Sequence, residues 1–232
     1  VLSAILGSIG RTAAYVVPGM ILSTAGGLLV GTASAWRRGS LSERTTRLLS
    51  YVAFGLPSFF VGGVLFLFVG GDMTAVGPSP IASLTGQTRP EPTSFMVAYL
   101  LPAVTLALSL VAGQLSYTRA LSMEYVNAPF VQALRAKGLS TPQVAWRVLR
   151  NAIVPLLSVQ VTELLSILVL NVFVIEFLFN VHGIGQLAYV AVHEFDIPLM
   201  LGVTMAIVLF GVLAGLAKDV ASTQLDPRVA SD

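Results

Sequence analysis

The sequence predicts an all-α integral membrane protein forming one transmembrane domain over residues 1–232, and three observations carry that prediction. Five long runs carry no charge or almost none. Only 10% of the residues are charged while 55% are hydrophobic, against about 25% charged in a soluble domain. The cations gather on alternate connections between the runs, as they do in polytopic membrane proteins.

In order, the runs are 12–36, 48–71, 92–118, 151–175 (interrupted only by Glu163) and 197–217. Each reaches the roughly 20 residues that cross a bilayer core as a helix, far beyond the length of a barrel strand. Helices satisfy their own backbone groups in lipid, so five transmembrane helices are expected.

Of the 13 Lys and Arg residues, all but Arg11 and Arg89 fall on one side: Arg37, Arg38, Arg44 and Arg47, then Arg119 to Arg150, then Lys218 and Arg228. That side is expected to be cytoplasmic, with residue 1 outside and the C-terminus inside. The pI of about 9.2 therefore reports topology and gives no reason to expect a nucleic-acid partner. An external N-terminus without a signal peptide leads us to expect one further helix upstream, for six spans in all. The absence of cysteine excludes disulfides and thiolate metal sites. Residues 72–91, rich in Pro, Gly and Ser, read as an irregular outer loop.

The longest cationic interval, NAPFVQALRAKGLSTPQVAWRVLRNAIVP from Asn127, reads as two short helices meeting at Gly138. Asn127 is expected to cap the first, Pro129 suits its first turn, and Gly138 suits a left-handed stop. Ser140 is expected to cap the second, with Pro142 in its first turn. Phe130, Ala133, Leu134 and Lys137 fall on one face by spacing. An apolar face with a basic end has the character of a docking element, the alternative being a loop lying on anionic lipid.

That interval resembles the cytoplasmic loop of binding-protein-dependent ABC importer permeases, nearest to the dipeptide, oligopeptide and nickel branch. The words Arg37-Arg38-Gly39-Ser40, Leu56-Pro57-Ser58-Phe59, Leu101-Pro102-Ala103, Glu176-Phe177, Gly183-Ile184-Gly185 and Leu225-Asp226-Pro227-Arg228 follow in that family's order. His182 stands where a proline is common, and Glu163 with Leu165, Ile167, Leu168 and Leu170 replaces a stretch often rich in glycine. The resemblance implies a type I permease bundle in a prokaryotic inner membrane, with a coupling helix within about 125–150. Ala133, Leu134, Arg135, Ala136, Lys137, Gly138 and Leu139 would meet an ATPase subunit. It further implies a second permease subunit (homologous or identical), two nucleotide-binding ATPase subunits and an extracytoplasmic solute-binding protein, with di- or oligopeptides as cargo. A nickel or other small-solute permease is the near alternative. ATP and Mg would be bound by the partner ATPase subunits, with no cofactor in this chain. A P-loop needs Gly-Lys-Ser/Thr, and the two lysines, Lys137 and Lys218, each follow alanine.

Glu163, Asn171 and Glu176 are the candidate translocation-pathway residues. A carboxylate at mid-span costs about 2.5–3.5 kcal/mol on insertion scales, so Glu163 needs a polar partner, a cavity or a proton. An interhelical hydrogen bond explains it as readily as a substrate contact does. As a proton or cation site it would instead mark an ion-coupled secondary carrier. Gln160 and Asn171 read as packing polar groups. His182, His193, Glu194 and Asp196 lack metal-ligand spacing and read as interfacial or solvated groups. No hydrolase triad is legible.

Overall fold

Long apolar stretches without period-two alternation fold as helix throughout, and no strand occurs among the described residues. The computed structural model describes residues 1–36, 40–68, 96–126, 128–148, 150 and 171–225. Its helices are α1 (Leu2–Trp36), α2 (Leu41–Gly55), α3 (Ser58–Phe68), α4 (Leu101–Val126, entered through one wide turn at Met96–Leu100), α5 (Pro129–Ala136), α6 (141–148), α7 (Val172–Phe179), α8 (Ile184–His193) and α9 (Ile197–Leu225).

Several boundaries differ from the sequence expectation. The first span was expected from Thr12, yet α1 begins at Leu2 and carries Arg11 within the helix. The guanidinium is accommodated because its Nη1–H donates to the His182 carbonyl at 2.8 Å. The second run is not one helix. Its hydrophobicity is continuous, but Pro57 lacks an N–H and biases Leu56 away from helical geometry, so α2 ends at Gly55. The Pro57 carbonyl then accepts from Phe60 and Val61 at 3.0 and 3.2 Å, starting α3. Most of the fourth expected span, 151–170, lies outside the described residues, as do Glu163 and Gln160.

The described residues fall into two compact units. One comprises 1–22, 56–68, 96–109 and 171–214. There Leu106, Val172 and Ile175 are fully buried, and the Phe66 and Phe179 rings meet edge to face at 6.2 Å. The other comprises 23–36, 40–55, 110–126, 128–148, 150 and 215–225. In it Gly27 and Gly31, four apart on α1, face Gln114 and Thr118, four apart on α4, and a Cβ at either glycine would come within 3 Å of its neighbour. Small residues at that spacing let helix backbones approach closely in a bilayer.

Candidate functional site

In the second unit, α5 and α6 form an elbow whose shape follows from its residues. Ala128, in extended conformation, is the N-cap of α5 and provides no side-chain cap, with Pro129 in the first turn. The expected cap, Asn127, lies outside the described residues. At the other end Gly138 adopts φ +76°. Its N–H donates to the Arg135 carbonyl at 2.9 Å and the Leu139 N–H to the Leu134 carbonyl at 3.3 Å, the paired bonds of a Schellman stop. One residue later α6 begins. The Ser140 carbonyl accepts from Val144 N–H at 3.0 Å, and the Ser140 N–H donates to Gln143 Oε1 at 2.9 Å. That last bond is half of a capping box, with Gln143 reaching back three residues.

The two short helices are fastened by a small core. Val131, Val144 and Val148 are completely buried, with Trp36, Tyr125, Phe130, Leu134 and Leu139 packed around them. The Tyr125 and Phe130 rings meet edge to face at 6.2 Å. Arg135 places its guanidinium carbon 5.2 Å from the centre of the Trp36 ring, a cation–π distance. Spacing alone put Phe130, Ala133, Leu134 and Lys137 on the apolar face. The structure turns that face by about one residue: Phe130, Val131 and Leu134 pack inward, whereas Ala133 and Lys137 are exposed. Val131 is the most deeply buried of the three because α6 supplies Val144 and Val148 to the same cluster, a contact that no single-helix periodicity contains.

Of the seven residues expected to meet an ATPase subunit, Ala133, Arg135, Ala136, Lys137 and Gly138 are exposed. Leu134 and Leu139 are half-buried and shape the elbow from within. The element is thus a rigid two-helix knuckle with a small-residue, cationic outer surface. Two of its structural residues were legible earlier only as letters: Gln143, through the S-x-x-Q pattern, and Trp36, which nothing in its own segment marks.

The first unit contains a second constellation, around Glu176. The axes of α7 and α8 differ by 88° across the intervening turn. The carboxylate of Glu176 on α7 is fully buried. Its Oε1 accepts from Thr12 Oγ1–H at 2.6 Å and Tyr15 O–H at 3.1 Å, and its Oε2 from the Gly185 and Gln186 N–H groups at 2.8 and 3.0 Å. Thr12 Oγ1 in turn accepts the Ile184 N–H at 2.9 Å. Three otherwise orphaned donors at the start of α8 are therefore satisfied by side chains from α7 and α1. A side chain at Gly183 would collide with this carboxylate and with the Thr12 hydroxyl. Glu176 thus faces inward on its own unit, with both oxygens occupied. Asn171 is half-buried and immediately precedes α7 with αR backbone, its side chain giving no cap. The spacing of Thr12 and Tyr15 on α1 gave no sign that both would reach residue 176.

The acids and histidines beyond the bend have separate settings. His193 stacks on Tyr189 with centroids 5.8 Å apart, and Tyr189 meets Phe173 and Phe177. Asp196 is a helix cap, its Oδ1 accepting the Leu199 N–H at 3.0 Å. Among the described residues no three His, Cys, Asp or Glu side chains gather as a metal site.

Among the described residues the secondary structure is all helical, two apolar helices are long enough to cross a bilayer, or up to four if each bent pair is one span, and a capped knuckle follows α4 in the chain: the form is that of a membrane-embedded protein. By sequence comparison the chain belongs to the family described as the binding-protein-dependent transport system inner membrane component, matched over residues 27–231. It is similar to the metal-staphylopine import system permease protein CntB of Staphylococcus aureus, 26% identical over 202 residues, covering 87% of this chain and 61% of that protein. It is 29% identical over 230 residues to the oligopeptide transport system permease protein OppB of Mycobacterium tuberculosis, covering 95% and 70%. It is 26% identical over 211 residues to the dipeptide transport system permease protein DppB of Lactococcus lactis, covering 90% and 65%. The chain thus spans about two thirds of the length of these relatives.

Proposed function

We propose that this chain is the membrane-spanning permease subunit of an ATP-driven ABC importer for di- or oligopeptides, forming half of the translocation pathway. The observation that carries the reading is the knuckle: two capped helices locked by Val131, Val144 and Val148, presenting Ala133, Arg135, Ala136, Lys137 and Gly138 to solvent. A lever must be stiff to pass on displacement, and a docking surface must be exposed; this element is both.

In this reading the knuckle lies in the cytoplasm, as does the C-terminus, and seats against one of two nucleotide-binding ATPase subunits. Those subunits bind ATP and Mg and perform the hydrolysis; this chain has no ATPase site of its own. ATP binding draws them together, the knuckle follows, and the cavity shared with a second permease subunit changes the side it faces. The docked state and the released state must differ in contact free energy at this surface, since equal contact would shift nothing. An extracytoplasmic solute-binding protein delivers the cargo. Glu163 and Asn171 remain candidates for the pathway lining, whereas Glu176 is better placed to hold the α7–α8 bend.

Cross-linking tests docking. Single cysteines at Ala133 or Ala136, in a chain with none of its own, should capture an ATPase subunit in intact membranes. A cysteine at Val144, buried in the knuckle, should not. Failure of both exposed positions would remove the importer reading. Cargo is tested separately, by competing uptake of a labelled dipeptide with longer peptides, free nickel and a metal–staphylopine complex. Peptide competition is expected; selective competition by the metal–staphylopine complex would move the chain to the cargo class named for its Staphylococcus aureus relative. Uptake that survives ATP depletion and follows the proton gradient would instead favour an ion-coupled carrier.

A further inference from the structure

The turn between α8 and α9 is closed by a residue poorly suited to it. Phe195 has φ +55°, in the left-handed region where a Cβ crowds the carbonyl that follows. Its N–H donates to the Val192 carbonyl at 3.3 Å and the Asp196 N–H to the Ala191 carbonyl at 3.0 Å. The position is the one glycine usually fills in a Schellman stop. The ring is also 85% exposed, the most of any large apolar side chain among the described residues. Strain and exposure both disfavour phenylalanine here, and the described residues give the ring too little contact to offset them.

What lies beside the turn indicates what does. Asp196 caps α9 through the Leu199 N–H, so the ring is mounted between two hydrogen-bonded helix ends. From that point α9 is apolar, and Ile197, Leu201, Met205, Val208 and Val212 recur at helical spacing, each more than half exposed. α9 runs 29 residues, and a continuous aliphatic stripe on an apolar helix of a membrane protein faces hydrocarbon; its end marks the depth where water, headgroups and acyl chains meet. Phe195 stands two residues before that stripe, next to the exposed Glu194.

We propose that Phe195 is an interfacial anchor, its ring seated in phospholipid at the boundary between headgroups and acyl chains. It would fix the depth of the α8–α9 turn, and the partner is lipid rather than protein. Aromatic rings favour this zone because they are apolar bodies that tolerate a polar, hydrated surrounding. The inference does not depend on the importer reading.

The chain contains no cysteine, so a nitroxide at Phe195→Cys reports one position in the full chain. The chain would be reconstituted in vesicles of phosphatidylethanolamine and phosphatidylglycerol. Contact with oxygen, which concentrates in lipid, is compared with contact with a water-soluble nickel chelate. Glu194→Cys and Val208→Cys provide the wet and the deep references. The oxygen-to-nickel ratio at 195 should exceed that at 194 by about threefold and stay below that at 208. A ratio equal to that at 194 would place the ring in water and overturn the proposal. Shielding from both reagents, with or without a solute-binding protein added, would mean that a protein covers it and would overturn it equally. Phe195→Trp provides a second reading that keeps an aromatic in the turn: taken as the difference from the parent chain, which has Trp36 and Trp146 of its own, its fluorescence should be quenched more strongly by shallow brominated phospholipids than by aqueous iodide. The reverse order would sink the anchor.

Discussion

Among its described residues the molecule makes the same left-handed stop at two places, and the residues that close it could hardly differ more. At the end of α5 it is Gly138, φ +76°; at the end of α8 it is Phe195, φ +55°. Both use the same pair of backbone hydrogen bonds. Beneath Gly138, Leu134 and Leu139 pack on a valine core, and a Cβ at the glycine would meet open space within 4 Å. After Phe195 comes a capping aspartate, and the ring projects away from the chain. Where the backbone alone must turn, glycine does it with least strain. A bulky residue in the same conformation is there for what its side chain reaches. A third stop, at Asn180 with φ 53°, lies between them: the Val181 N–H donates to the Glu176 carbonyl at 3.0 Å, while the Glu176 carboxylate holds the next helix.

The largest effect that would break this comparison is Gly138→Pro. Proline cannot reach positive φ and has no N–H for the Arg135 carbonyl, so about 3 kcal/mol or more is lost at the knuckle. Peptide uptake and transport-coupled ATP hydrolysis should fall to background while the chain remains in the membrane at normal abundance. Wild-type uptake by that variant would show that the stop is dispensable.

Next comes Glu176→Gln, which keeps the shape but replaces one acceptor oxygen with a donor among four donors. It should destabilise the bend by about 1–3 kcal/mol, the range for a buried polar group left unpaired. Hydrogen exchange at Ile184, Gly185 and Gln186 would speed up accordingly. A variant of unchanged stability but altered preference between cationic and neutral peptides would return Glu176 to the pathway.

Gly138→Ala isolates conformation from sterics, because the added methyl group has room. The expected cost is about 1 kcal/mol, seen as faster exchange of the Leu139 amide with α6 unaffected. No change in exchange would mean that the valine core alone sets the turn.

Phe195→Gly has the opposite sign and the smallest magnitude. Relief of the left-handed strain should strengthen the turn by about 0.5–1 kcal/mol, slowing exchange of the Asp196 amide. Faster exchange there would show that the ring supports its own turn.

Much of this was legible in one dimension. Gly138, Pro129 and Ser140 announced the elbow because turn and cap chemistry is local. The break at Pro57 was equally present in the letters, yet continuous hydrophobicity masked it, since a run of apolar residues is indifferent to where its helix bends. The inward face of α5 was misjudged by one position because its partner valines lie on α6. Glu176 read as a pathway candidate because its donors, Thr12 and Tyr15, are more than 160 residues away.

The sequence by itself determined that this is a helical membrane protein of the binding-protein-dependent permease family, with a glycine-stopped cationic elbow. Hydrophobic run length, charge placement and turn residues act locally and are written in order along the chain. Only the tertiary structure decided which side of the elbow is outward, what occupies the Glu176 carboxylate, and that Phe195 is strained and exposed. Each of these depends on a contact, or the lack of one, with residues distant in the chain, and no local pattern encodes that distance.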